Sequence, residues 1–169
     1  MTGTYKTEVE EFWTNTAGKV RAYVLCVCGS RTDAEDILQD CYLRAVRGWA
    51  SFNSRASRQA WLFGIARKTC ADWSRQKRRR GTVIPLESLD ELADNSLERP
   101  AADGLEGVWN AVENLSAEQS EVVHLRFAAG LSYAEMAETL AVPVGTIRSR
   151  LHRALKAVRE QIREQENGT

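Results

Sequence analysis

The sequence predicts an all-α protein: two small helical domains joined by a flexible acidic linker. Three observations predict it. Apolar residues recur every three or four positions through most of the chain, and no segment shows the alternation of a strand. Ser/Thr-x-x-Glu/Gln capping boxes stand in front of three of the periodic segments. Charge is segregated although the net is zero. Residues 1–84 carry 15 Lys+Arg against 8 Asp+Glu, residues 85–121 carry 1 against 10, and residues 122–169 carry 7 against 5. Two basic modules around an acidic connector suit two nucleic-acid-facing domains better than one uniform globule.

The length of 169 residues allows one domain of good size or two small ones, and 43% hydrophobic residues support folded cores. No apolar run approaches the length of a membrane span, and the opening MTGTYKTEVEEFW lacks the pattern of a signal peptide. The expectation is a cytoplasmic protein without membrane insertion.

In chain order, Val9, Phe12, Trp13, Ala17, Val20, Val24 and Val27 form a helical stripe that Gly29-Ser30 terminates. Thr32 with Glu35 reads as a capping box for a second helix, which buries Ile37, Leu38, Cys41, Ala45 and Trp49. Its opposite face gathers Asp36, Gln39, Asp40, Leu43 and Arg47. A leucine ringed by charges fits a partner-binding patch and an isolated exposed leucine equally well. Acids near a helix start also suit the dipole by themselves. Residues 52–57 read as a polar loop.

A third helix is predicted from Arg58 to Arg80, with Trp61, Leu62, Ile65, Ala66, Thr69, Cys70 and Trp73 as packing positions. Arg67, Lys68, Arg75, Lys77, Arg78, Arg79 and Arg80 make a dense basic surface. Cations beside tryptophans suit single-stranded nucleic acid, whose bases stack and whose phosphates need charge. Trp73 is expected in the core. Periodicity leaves Trp61 unassigned between core and surface. Residues 81–104 lack a sustained period and contain Pro85 and Pro100, so a linker is expected.

Leu105, Val108, Trp109, Val112 and Leu115 resume a stripe. Ser116 with Gln119 caps a helix predicted to run to Gly130. Ser132 with Glu135 caps a short helix, apolar on one side through Ala134, Met136, Ala137 and Leu140, and stopped at Val142-Pro143. A long last helix opens at or beside Gly145. It buries Ile147, Leu151, Leu155, Val158 and Ile162, and presents Thr146, Ser149, Arg153 and Lys156 opposite, flanked by Arg148, Arg150 and His152. Hydroxyls mixed with guanidinium groups are what a helix-turn-helix needs in the major groove; an ordinary hairpin with a solvated basic face shares the pattern. Four cysteines, Cys26, Cys28, Cys41 and Cys70, lack metal-ligand spacing, so reduced structural thiols are expected, with no metal and no cofactor.

Three stretches, DAEDILQDCYLRAV, AWLFGIARKTCADWSRQKRRR and LSYAEMAETLAVPVGTIRSRLHRAL, occur in an order that resembles bacterial RNA polymerase sigma factors of the extracytoplasmic-function group of the sigma-70 family. The resemblance implies sigma region 2 over residues 1–82, a linker over 83–104 and sigma region 4 over 105–169. It assigns Asp36, Gln39, Asp40, Leu43 and Arg47 to docking on the β′ clamp helices of core RNA polymerase. It assigns Trp61, Arg67, Lys68, Asp72, Arg75, Arg78 and Arg79 to reading and melting the minus-ten promoter element. Lys68 stands where the family usually has asparagine, a change that favours a phosphate contact. Thr146, Arg148, Ser149, Arg150 and Arg153 match the part that reads the minus-thirty-five element in duplex DNA, in a segment that also touches the β flap. Ala141 replaces a glycine common in the family's turn. An anti-sigma factor is the implied regulator.

Two other classes compete. A stand-alone helix-turn-helix regulator leaves the third helix without a role, and no dimerisation segment is visible. An enzyme is disfavoured because His124 and His152 lie far apart, with no nucleophile, phosphate-loop or metal motif around either.

Overall fold

In the computed structural model the described residues are 2–52, 57–80 and 106–167, and they contain helices and no strand. The chain divides into two compact units, Met1–Arg99 and Pro100–Thr169. The predicted linker over 83–104, Leu105 and most of the predicted loop over 52–57 lie outside the described residues.

The first unit holds α1 (Thr2–Cys28), α2 (Arg31–Gly48), a 3-10 turn (Trp49–Ser51) and α3 (Arg58–Arg79), with all three helices packed on one another. Gly29 closes α1 in the left-handed region at φ 67°, its N–H donating to the Leu25 carbonyl at 2.9 Å. The cap of α2 is Ser30, whose hydroxyl accepts from the Asp33 N–H at 3.3 Å. The Thr32–Glu35 box expected from the sequence is therefore two residues too late. The Glu35 carboxylate instead accepts from Arg21 of α1 at 3.0 Å, a partner no local pattern reveals.

The core joins Val20, Tyr23 and Val24 of α1 to Ile37 and Cys41 of α2 and to Leu62, Phe63 and Ala66 of α3. Tyr23 meets Phe63 edge-on, ring centroids 5.7 Å apart. Neither ring was in the expected stripes. α1 packs against two helices at once, so its buried arc is wider than one periodic row. Val27, expected inside, is 44% exposed, in the final turn of α1. The buried hydroxyls of Thr16 and Thr69 are satisfied locally, donating to the carbonyls of Phe12 at 2.7 Å and Ile65 at 2.8 Å.

The second unit holds α4 (Glu106–Glu113), α5 (Ala117–Val123), α6 (Tyr133–Leu140) and α7 (Val144–Asn167), and α7 packs on the other three. Both expected capping boxes form, Ser116 with Gln119 on α5 and Ser132 with Glu135 on α6. The helix expected to run from Ser116 to Gly130 changes pitch: α5 passes into a π turn over His124–Ala128, then stops at Gly130, φ 69°. The Ala129 N–H reaches back to the His124 carbonyl at 3.0 Å, the bond of a π turn, and Phe127 within this turn is exposed. Leu125, Leu131, Met136, Ile147, Leu151 and Ala154 are buried together; Ala134, expected on the apolar side of α6, is exposed.

Candidate functional site

Three outward faces carry the residues singled out in the sequence. On α2, Asp36, Gln39, Asp40, Leu43 and Arg47 all point to solvent, while Ala34, Ile37, Cys41 and Ala45 form the buried side. Leu43 is 41% exposed and Val46, one turn on, is 38% exposed, so an apolar pair stands amid the charges. Val46 was absent from the sequence reading. Its place three residues after Leu43 is the signal that marks both as one patch.

α3 begins at Ser57, whose hydroxyl accepts from the Ala60 N–H at 3.4 Å. Arg67, Lys68, Arg75, Arg78 and Arg79 are exposed along it. Trp61 is half-buried in an aromatic cluster, its ring centroid 5.3 Å from Phe52 and 5.9 Å from Trp49. Trp73 is likewise half-buried, a departure from the expected core position, with the Lys77 ammonium 4.6 Å over its ring. Lys77 also donates to Asp33 of α2 at 3.1 Å. Asp72 accepts from Arg44 of α2 at 2.9 Å and from Arg75, and these two guanidinium groups hold its carboxyl below its ordinary pKa. Arg44, missed in the sequence, ties α2 to α3. An open cleft of about 460 Å³ between the two helices has Asp36, Asp40 and Arg44 on one wall and Trp73, Arg75 and Arg79 on the other.

The four cysteines are free thiols, Cys41 and Cys70 buried, Cys26 and Cys28 partly so. Burial pushes the Cys41 thiol up to about 11 and that of Cys70 to about 12, and raises Cys28 as well. Such groups stay protonated near neutral pH and are poor nucleophiles. No group of side chains among the described residues is arranged to hold a metal ion.

The third face belongs to the α6–α7 hairpin. α6 closes at Ala141, φ 53° and ψ 44°, the left-handed conformation that glycine adopts at least cost. The Pro143 carbonyl then accepts the first α7 bonds, from the Thr146 N–H at 2.9 Å and the Ile147 N–H at 3.3 Å. Ile147, Leu151, Ala154 and Val158 anchor α7, which leaves Arg148, Ser149, His152, Arg153 and Lys156 exposed. Arg153 folds back along the helix, Nε donating to the Ser149 carbonyl at 3.3 Å, while the Ser149 hydroxyl donates to the Thr146 carbonyl at 3.0 Å. Thr146 and Arg150 are half-buried at the edge of this face, and Arg150 is paired with Glu118 of α5. The structure thus brings Thr146, Ser149 and Arg153 together as one polar and cationic surface, with Arg148 and Arg150 on its flanks.

Comparison with known proteins bears on the family of the chain. The model of sigma-70 region 2 matches residues 12–80, and that of sigma-70 region 4 matches residues 105–158. The chain is similar to the extracytoplasmic-function (ECF) RNA polymerase sigma factor SigC of Mycobacterium tuberculosis, 35% identical over 125 residues, which are 74% of this chain and 68% of the relative. It is also similar to the ECF sigma factor SigW of Bacillus subtilis, 31% identical over 159 residues, 86% of this chain and 85% of the relative. Among solved structures, the sigma factor RpoE of Bartonella quintana, in complex with the anti-sigma factor NepR, superposes with a TM-score of 0.68 at 26% identity. That match covers 92% of this chain and 97% of RpoE. CnrH, solved with the cytosolic domain of CnrY, shares the fold with a TM-score of 0.69 at 19% identity, over 93% of this chain and 88% of CnrH.

Proposed function

Because the chain belongs to the extracytoplasmic-function group of sigma-70 family RNA polymerase sigma factors, and so is a transcription initiation factor that directs RNA polymerase to promoters, we propose a division of labour among its three faces. The α2 face of Asp36, Gln39, Asp40, Leu43 and Arg47 docks on the β′ clamp helices, with Val46 enlarging the apolar centre. α3 takes the minus-ten element as melted strand through Trp61, Arg67, Lys68, Arg75, Arg78 and Arg79. Asp72 serves there by holding Arg75 in place. The α6–α7 hairpin lies in the major groove of the minus-thirty-five element, read by Thr146, Arg148, Ser149 and Arg153 with Arg150 at the edge of that face, and touches the β flap. Functionally the chain divides into region 2 over residues 1–82, a linker over 83–104 and region 4 over 105–169.

The observation that carries this reading is the presence of two helices, α3 and α7, in separate compact units, each with one packed face and one cationic face. Duplex readout needs a helix that enters the major groove. Readout of unpaired bases needs cations beside aromatic rings. Two DNA elements apart from each other then call for two units on one chain. The family acts by binding, and we infer no catalytic step for this member. Among the described residues no helix is long and apolar enough to cross a membrane, and the place of action is the cytoplasm, where the polymerase works. The similarity to RpoE, solved with an anti-sigma factor, supports regulation of this chain by a partner of that kind.

The test is co-purification with core RNA polymerase combined with run-off transcription on a promoter library. The wild-type chain is expected to bind core and to enrich a definite promoter class. Leu43→Arg is expected to lose both activities while helicity and thermal unfolding stay nearly unchanged, since Leu43 is exposed. Unaltered core binding by Leu43→Arg would remove the α2 assignment.

A further inference from the structure

Among the five residues of the face proposed to meet duplex DNA, Arg150 differs from its neighbours. Arg153 bonds to its own helix, whereas the Arg150 Nη2 donates to the Glu118 Oε1 at 2.9 Å across to α5. The Arg150 side chain is only 21% exposed and that of Glu118 67%. Glu118 lies in the first turn of α5, behind the Ser116 cap, where the helix dipole favours an anion. The pair therefore sits at the border between the α7 outer face and the packed interior.

A guanidinium bound to a carboxylate carries no net charge to a duplex. A phosphate must displace the acid before it gains that cation, and the counterion release that drives sequence-independent binding is forfeited at this position. We propose that Glu118 is a positioning residue that sharpens promoter discrimination by withholding Arg150 from the DNA backbone. This rests on the reading of α7 as the duplex-reading helix. Thr146, Ser149 and Arg153 then supply a larger share of the binding, and theirs is the share that depends on sequence.

The experiment uses the full chain and two duplexes of roughly 20 base pairs, about two helical turns. One is enriched by the wild-type chain from a randomised pool and the other is its shuffled counterpart. Affinities are measured at roughly 50 and 200 mM salt, a range over which each phosphate contact is worth about three-fold in affinity. Glu118→Gln is expected to bind the shuffled duplex more tightly at low salt, to lose about three-fold more affinity than wild type over that range, and to discriminate less between the duplexes. Adding Arg150→Gln to Glu118→Gln is expected to return the salt slope to the wild-type value, because Arg150 supplies the extra contact. Arg153→Ala reports on the underlying reading and is expected to lose preference for the enriched duplex. If Glu118→Gln keeps the wild-type slope and preference while Arg153→Ala loses preference, the role of Glu118 is overturned and the reading of α7 stands. If the double variant keeps the steep slope, the change comes from the lost negative charge alone and the proposal fails. If Arg153→Ala behaves as wild type, the reading of α7 fails and the proposal with it.

Discussion

Ala141 is, among the described residues, the one non-glycine residue with a positive φ. It holds that conformation because its N–H donates to the carbonyls of Ala137 and Glu138, because the Val142 N–H donates to the Ala137 carbonyl at 3.1 Å, and because Pro143 keeps Val142 out of a continuing helix. An L-residue in this region costs about 1–2 kcal/mol, and glycine recovers that strain less its greater chain entropy. Ala141→Gly is therefore expected to stabilise the second unit by about 0.5–1 kcal/mol. Denaturant unfolding followed by the part of the tryptophan fluorescence that a Trp109→Phe variant lacks would show it as a later midpoint at unchanged slope; an earlier midpoint would mean that the strain is absent. The sequence marked the position as a turn, and the resemblance marked it as a usual glycine. The left-handed geometry itself came from the backbone bonds on either side.

α3 shows how far an element can be read before it is packed. Its start and basic surface agree with the periodicity, and its end at Arg79 falls one residue short of the expected Arg80. Periodicity left Trp61 undecided, and the structure explains why: the ring is half in the aromatic cluster with Trp49 and Phe52 and half at the surface. Removing it disturbs packing as well as any stacking surface, so Arg67, exposed on the same helix, is the cleaner probe of strand opening. Arg67→Ala is expected to leave the closed-complex footprint intact and to lower permanganate reactivity of the melted region roughly ten-fold, the worth of one charge-assisted contact. A pre-melted bubble template is expected to restore most of the lost transcription. Duplex binding weakened as much as by Arg153→Ala, or a bubble without effect, would contradict the separation of roles between α3 and α7.

At the scale of the whole molecule the two units have separate cores. Leu62 is fully buried in the first, among side chains of α1, α2 and α3, and Leu125 is fully buried in the second. Leu62→Ala and Leu125→Ala are each expected to cost about 2–5 kcal/mol through the cavity left behind, and each in its own unfolding transition. Four tryptophans lie in the first unit and Trp109 alone lies in the second, so fluorescence of a Trp109→Phe variant isolates the first unit. A single common transition displaced by both substitutions would show that the units unfold as one.

By itself the sequence determined the all-α class, the order of the helices, two of the three expected caps, the basic and acidic blocks, and the outward faces of α2 and α7. These follow from interactions within four residues along the chain, where periodicity and side-chain chemistry leave few alternatives. The tertiary structure decided which long-range partner each charged group takes. Glu35 pairs with Arg21, which left the α2 cap to Ser30. Asp72 pairs with Arg44 as well as with its neighbour Arg75, and Arg150 pairs with Glu118 rather than standing free on the outer face. It also decided that Tyr23 and Phe63 meet in the core and that α5 ends in a π turn. The residues of these long-range pairs lie 14 or more positions apart, so they are brought together only when separate helices pack, and helical period carries no record of which helix a side chain will face.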